Sequence, residues 1–283
     1  MANQIHWFPG HMNKALNEMG NKIKLVDIVI VVLDSRAPMS SFNSALISLL
    51  YNKKKIAVFS KFDLCDKDFL NEQLKTLSKD FDEVLILDIT SPSSKQLLEK
   101  AINKLGEEKR NKDKLKGMKP QPIRAMVVGA PNVGKSSLIN RLAGRQAAGV
   151  ANKPAFTRGD KWIKVNNNFI LLDTPGVLPM NYDNKLMATN LALIGCIKDD
   201  ILPHTDLVIY LLDYLKQYYP HALLTRYGIE TILDYEKTLD LISKKRGIII
   251  KNFDYSKCES LLLNEFKNGL LGNISLEKNG FKI

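Results

Sequence analysis

Gly129-Ala130-Pro131-Asn132-Val133-Gly134-Lys135-Ser136 places two glycines, a lysine and a serine at the spacing of a phosphate-binding loop. Its neighbours are in the required order. Ala125 to Val128 is an apolar run short enough for a buried strand, and Lys135 to Leu142 carries Leu138, Ile139 and Leu142 at helical spacing. Strand, loop and helix together make a cradle in which backbone N–H groups from Asn132, Val133, Gly134 and the Ser136-Ser137 pair can surround a phosphate. Lys135 supplies a point charge to the β- and γ-phosphates, and the Ser136 hydroxyl can ligate Mg²⁺.

Working outward, Asp173-Thr174-Pro175-Gly176 follows the apolar run Phe169 to Leu172. The Asp173 carboxylate therefore emerges beside the phosphate loop, where it can hold Mg²⁺ through water, while the Gly176 N–H can meet the γ-phosphate. Between the two motifs, Thr157 stands where a second hydroxyl ligand of Mg²⁺ is needed, although a neighbouring hydroxyl in another register could serve. Guanine recognition is written earlier in the chain. Ser60-Lys61-Phe62-Asp63 follows the run Ile56 to Phe59, and a carboxylate at Asp63 can accept from both N1–H and N2–H₂ of guanine. The stem of Lys61 can cover the base face, and Ser60 stands where GTPases usually have asparagine, offering a shorter arm. Thr90-Ser91, after the run Val84 to Leu87, can present backbone N–H to the guanine O6.

The guanine motifs thus precede the phosphate loop, the reverse of the usual order, and a GTPase domain so arranged is circularly permuted. Apolar runs at Ile28 to Leu33, Ile56 to Phe59 and Val84 to Leu87 alternate with helical segments, which predicts a mostly parallel sheet. Lys161 to Val165 and Phe169 to Leu172, joined by Asn166-Asn167-Asn168, read as a hairpin that makes one edge antiparallel. The fold expected is α/β, a circularly permuted Ras-like P-loop GTPase domain over residues 1–184, followed by a small all-α domain over 185–283. In the latter, helices are expected at Lys185 to Ile197, Leu207 to Gln217, Ala222 to Tyr227, Tyr235 to Lys245 and Ser256 to Leu271; Asp206 to Asp213 also admits a strand.

Composition bounds the rest. The net charge is +11, and all of it lies in residues 1–185, with 29 Lys/Arg against 18 Asp/Glu, while residues 186–283 hold 12 of each. Lys104 to Arg124 is the densest basic stretch, suited either to a phosphate-rich partner or to a solvated linker kept soluble by its lysines. Cys65, Cys196 and Cys258 are scattered without metal-ligand spacing, as in a reducing compartment. With no targeting segment at Met1 to His6 and no run long enough for a membrane span, a cytoplasmic protein is expected.

The motif order, with Trp7-Phe8-Pro9-Gly10-His11-Met12 and Asp34-Ser35-Arg36-Ala37-Pro38-Met39-Ser40-Ser41, resembles the YlqF/YawG family of circularly permuted GTPases. Lys245-Arg246-Gly247 and Phe266 to Glu277 resemble that family's terminal segments, with Leu270 and Asn273 where members usually carry basic residues. The resemblance implies GTP hydrolysis to GDP coupled to late assembly of the large (50S) ribosomal subunit. It also implies an rRNA-contacting helical domain; the factor is expected to be monomeric when free.

Catalysis needs a separate argument, because Val177 occupies the place after Gly176 where Ras-like enzymes carry a water-orienting glutamine. The resemblance points to His11 instead; a neutral imidazole there could position water, or the residue could simply cap the first helix. Asn132 can offer its side-chain oxygen to a K⁺ that bridges the phosphates, or stabilise its own turn, and Arg158 is a second candidate for neutralising charge. Three functions compete on these residues: a subunit-stimulated GTPase, a GTP-gated RNA-binding module in which hydrolysis is incidental, and a P-loop ATPase or kinase. Asp63 argues against the last.

Overall fold

The central strand Ile28–Asp34 (β1) is buried on both faces, with Ile28, Ile30 and Val32 in one hydrophobic cluster and Val29, Val31 and Leu33 in the other. A strand apolar at every position must be covered on both sides, as in a parallel sheet layered with helices. The computed structural model describes residues 19–42, 44–144, 161–174, 185–198 and 201–280, and within them β1 anchors a six-stranded sheet. Its other strands are Lys54–Ser60 (β2), Glu83–Ile86 (β3), Ile123–Gly129 (β4), Lys161–Lys164 (β5) and Phe169–Asp173 (β6), in the order β3-β2-β1-β4-β6-β5. All pairings are parallel except β5 with β6. Asn166 makes that hairpin, its Oδ1 accepting from the N–H of Asn168 at 2.8 Å and Phe169 at 3.1 Å.

The chain builds leftward from β1 through β2 and β3, then crosses to β4 and builds rightward. The order reverses between β1 and β4, and a crevice at the C-terminal ends of the strands is expected at such a switch point. Helices Pro38–Ser41 (α1), Ser44–Leu49 (α2), Lys67–Leu77 (α3), Ser93–Leu105 (α4), Glu107–Leu115 (α5) and Lys135–Ala143 (α6) connect the strands. The basic stretch from Lys104 to Arg124 is helical as far as Leu115 apart from Gly106. Glu107 and Glu108 sit in the first turn of α5 and Lys112 and Lys114 in the last, complementing the helix dipole. Lys109 pairs with Asp27 at 2.6 Å, and Lys112 with Glu108 one turn away at 2.6 Å.

Lys185–Leu193 (α7), His204–Tyr218 (α8), Ala222–Tyr227 (α9), Tyr235–Arg246 (α10) and Ser256–Lys267 (α11) form the helical region. Segment 206–213 is helix rather than strand, since Leu207, Val208, Leu211, Leu212 and Leu215 bury one helical face. Helix α7 ends four residues before the expected Ile197, because Gly195 takes a positive φ of 79° and the Cys196 N–H turns back to the Leu191 carbonyl at 2.8 Å. Helix α11 likewise stops at Lys267, ahead of Gly269 at φ 73°. The cluster beneath Ile28, Ile30 and Val32 continues without interruption into Leu191, Leu211, Leu215 and Leu262, so the two regions share a core. No helix among the described residues is long and apolar enough to cross a membrane.

Candidate nucleotide site

Strand β4 ends at Gly129, whose φ of 148° and lack of a side chain let the loop leave beside β1; a Cβ there would lie 2.4 Å from the Val32 carbonyl oxygen. Asn132 and Gly134 both take positive φ, at 57° and 101°, turning the backbone into the start of α6. No side chain caps α6, so its first N–H groups are left for an anion. Lys135 is buried and its Nζ donates to the Ala130 carbonyl at 2.7 Å, folding the ammonium over the loop; burial pushes it down to about 8. Asp173 pairs in register with Val127 of β4 and is buried, and the Thr174 hydroxyl donates to the Val127 carbonyl at 2.7 Å. Ser136 and Ser137 are half-buried in the first turn of α6.

The guanine motif reaches the same edge of the sheet from β2. Ser60 is fully buried, with its hydroxyl 2.9 Å from the Leu33 carbonyl and 2.6 Å from the Val133 carbonyl of the phosphate loop. Its hydroxyl is thus an internal tie between the two halves of the site. Lys61 sits in the left-handed region at φ 54°, and its Nζ is held 2.9 Å from the Asp34 carboxylate. Phe62 and the exposed Asp63 follow in a 3₁₀ turn, with the Lys67 ammonium 5.0 Å over the Phe62 ring. At the third motif the backbone amides are engaged within their own loop. The Thr90 N–H already donates to Asp88 Oδ1 at 2.8 Å and the Ser91 N–H to the Asp88 carbonyl at 3.0 Å, so neither amide is free for a base as the loop stands. Arg141 braces the same loop through the carbonyls of Ile89 and Thr90, and a cleft of about 410 Å³ opens between loop and helix, lined by Ile89, Thr90, Ser137, Asn140, Arg141 and Gly144.

A buried joint fastens this site to the helical region. Asp34 and Arg36 are both almost fully buried and bidentate, Nε to Oδ1 at 3.0 Å and Nη2 to Oδ2 at 2.8 Å. Burial alone would raise the Asp34 carboxyl, but the charges of Arg36 and Lys61 outweigh it and hold it well below the usual carboxylate range. Arg36 also donates to the Lys267 carbonyl at 2.8 Å and the Ile194 carbonyl at 3.1 Å, while Asn132 Nδ2 donates to the Gly195 carbonyl at 2.7 Å. The chain's last described turn returns to the same place. The Leu276 N–H donates to the Arg36 carbonyl at 2.7 Å, and the buried Glu277 carboxyl accepts from Ser40 N–H at 2.6 Å and Met39 N–H at 3.1 Å. Asp66, just beyond the guanine motif, caps α3 and pairs with Lys278 at 2.6 Å and with the Tyr219 hydroxyl at 3.0 Å. Sequence reasoning had none of these contacts, apart from marking Asp34 to Ser41 as a family signature; the signal was an acid and a base two residues apart at a strand's end.

The chain resembles known proteins over nearly its whole length. Residues 124–252 match the 50S ribosome-binding GTPase family, starting one residue inside the strand that carries the phosphate loop. Ribosome biogenesis GTPase A of Bacillus licheniformis is 38% identical over 277 residues, 97% of this chain and 98% of the relative. The chain belongs to the ribosome biogenesis GTPase A family. A probable ribosome biogenesis GTPase A of Mycoplasma genitalium is 31% identical over 98% of the chain and 97% of the relative. The crystal structure of GNP-bound YlqF from T. maritima superimposes with a TM-score of 0.65 at 23% identity, covering 93% of this chain and 97% of that one, which supports the fold.

As a member of that family the chain is a circularly permuted GTPase. The GTPase family generally uses Mg²⁺, and the oxygen donors brought to the phosphate loop here, a serine hydroxyl and a buried carboxylate, suit that hard cation. Thr157, His11, Arg158, Val177 and Gly176 lie outside the described residues. The three cysteines are free and buried, and burial pushes Cys65 and Cys196 up to about 12.

Proposed function

We propose that the chain is a cytoplasmic assembly factor for the large (50S) ribosomal subunit. It binds rRNA or the precursor subunit in its GTP state and leaves on hydrolysis to GDP. The observation that carries this reading is the convergence of Ser60 to Asp63 and Gly129 to Ser136 on one edge of the sheet, in a chain whose curated relatives are named for ribosome biogenesis. Residues 1–184 act as the nucleotide domain and 185–283 as the rRNA-contacting one, the factor being monomeric when free.

Asp63 selects guanine by accepting two donors that adenine lacks, the Lys61 stem covers the base, and the loop from Thr90 to Ser91 closes over O6 once its amides exchange partners. Val133, Gly134, Lys135, Ser136 and Ser137 surround the phosphates with N–H groups and one ammonium, and the Gly176 N–H reports the γ-phosphate. Ser136, Thr157 and Asp173 would hold Mg²⁺, which supplies positive charge to the phosphates when bound. Asn132, its Nδ2 engaged by the Gly195 carbonyl, would offer its Oδ1 to a K⁺. His11 positions the attacking water, the role that Val177 cannot fill.

The experiment is GTP turnover by wild type and His11→Ala, with and without purified large-subunit precursors, in K⁺ or Na⁺ buffer. Subunit- and K⁺-stimulated turnover that His11→Ala loses while still binding nucleotide and subunit is expected. Turnover unchanged in His11→Ala would sink the His11 assignment, and turnover indifferent to the subunit would make the chain a GTP-gated RNA-binding module instead.

A further inference from the structure

The helical region carries equal numbers of basic and acidic side chains, yet they are not evenly spread. At the end where α10 passes to α11, Lys244, Lys245, Arg246, Lys251 and Lys257 meet a single acid of the connecting turn, Asp254, and all six are exposed. Arg246 is already committed to Glu265 at 2.8 Å, while Asp254 accepts the Ser256 N–H at 3.0 Å to start α11. Asp240 lies close by, its carboxylate accepting from the Tyr255 hydroxyl at 3.2 Å, and the four lysines still leave this end net positive.

The connection itself is built in an unusual way. Ile248 and Ile250 pack on the core, which turns Ile249 outward, 78% exposed. The chain then reverses in a turn from Lys251 to Asp254, closed by the Asp254 N–H on the Lys251 carbonyl at 2.9 Å. Both central residues take positive φ, Asn252 at 51° and Phe253 at 58°. Turns of that hand favour Asn-Gly. Asn252 obeys the rule and Phe253 breaks it, since a bulky side chain in the left-handed region is strained. The strain is not repaid by packing, because Phe253 is 82% exposed. A phenyl ring held out from a tight turn, beside an exposed isoleucine and among lysines, combines a stacking face with phosphate-seeking charge. Unpaired nucleotides are bound by that combination, base on ring and backbone on lysine.

We propose that the turn Lys251 to Asp254 is an RNA platform, on which Phe253 stacks an unpaired base while Lys251 and the neighbouring lysines contact the flanking phosphates. The assignment rests on the reading of the helical region as RNA-contacting and gives that reading its residues. A double helix would not satisfy it, because its bases are already stacked.

The test is anisotropy titration of a fluorescein-labelled oligouridylate, single-stranded or annealed to oligoadenylate, with the full chain saturated with a non-hydrolysable GTP analogue. Co-sedimentation with large-subunit precursors and a thermal melt accompany it. Phe253→Asn, which suits the turn better, should bind the single strand about tenfold more weakly, as expected for one stacked base, with a melting midpoint equal to or above wild type. Phe253→Trp should keep the affinity, and Lys251→Gln should lower the slope of log affinity on log salt by about one. Single-strand affinity unchanged in Phe253→Asn, or a lowered midpoint, overturns the platform. Loss of subunit binding with RNA affinity intact overturns it in favour of a protein contact. If wild type binds neither oligonucleotide nor precursor, the RNA-contacting reading itself fails and the platform with it.

Discussion

Arg36→Met removes the cation at the centre of the joint between the nucleotide site and the helical region. Asp34 and Arg36 are 0% and 1% exposed, so the change leaves a carboxylate in the interior with Lys61 and the residue-36 backbone N–H at 3.1 Å beside it, and removes the bonds that Arg36 donates to the Lys267 and Ile194 carbonyls. Removing one partner of a buried pair costs about 3–5 kcal/mol, about a fifth or more of the stability of a typical chain. At a urea slope of about 3 kcal/mol/M the midpoint should fall by about 1–1.7 M. The pH dependence gives a second signature. In wild type the Asp34 carboxyl is held low, so its contribution is complete above the ordinary carboxylate range and fades only as pH falls through the depressed value. Without Arg36, burial dominates and raises that carboxyl, so the variant loses stability as pH rises. Its deficit should be smaller at pH 5 than at pH 8. Asp34→Leu combined with Arg36→Met should recover most of the loss, since both charges are then gone. Urea titrations at the two pH values check this; a deficit below about 1 kcal/mol, or the same at both pH values, refutes the reasoning.

Other consequences follow from single residues. Burial pushes the Glu277 carboxyl up to about 7, so the fold holds a proton that the unfolded chain has released. Wild type should therefore lose up to about 3 kcal/mol between pH 4.5 and 7, and Glu277→Gln should flatten that slope in urea titrations. Asp63→Asn should weaken GTP by about tenfold or more and improve XTP, because an amide offers xanthine O2 the donor that a carboxylate cannot; an unchanged preference in competition assays would count against Asp63 as the base reader. Gly129→Ala places a Cβ 2.4 Å from the Val32 carbonyl at a φ of 148°, so at least about 1–3 kcal/mol of strain should appear as a lowered melting midpoint and weaker GDP binding.

Most of the sheet was legible in the chain because period and punctuation are local. Apolar runs marked each strand to within one to three residues, and Asn166 announced the hairpin through a side chain that bonds two residues on. Charge counts were less informative. They left the stretch from Lys104 to Arg124 either a phosphate-seeking surface or a solvated linker, and gave no sign of the helix that Glu107, Glu108 and the Asp27–Lys109 pair support. The same counts called the helical region neutral, averaging away the lysines around Phe253.

By itself the sequence determined the chemistry of the nucleotide site and the permuted order of its motifs, because those depend on residue type and spacing along one backbone. Tertiary structure alone decided how the site is held. Ser60 meets Val133 across 73 positions, Asn132 meets Gly195 across 63, and Glu277 meets Ser40 across 237. Such contacts leave no periodic trace, since each needs only one donor and one acceptor brought together by packing. Burial then sets their strength, by removing the water that would otherwise compete for the Asp34, Arg36 and Glu277 side chains.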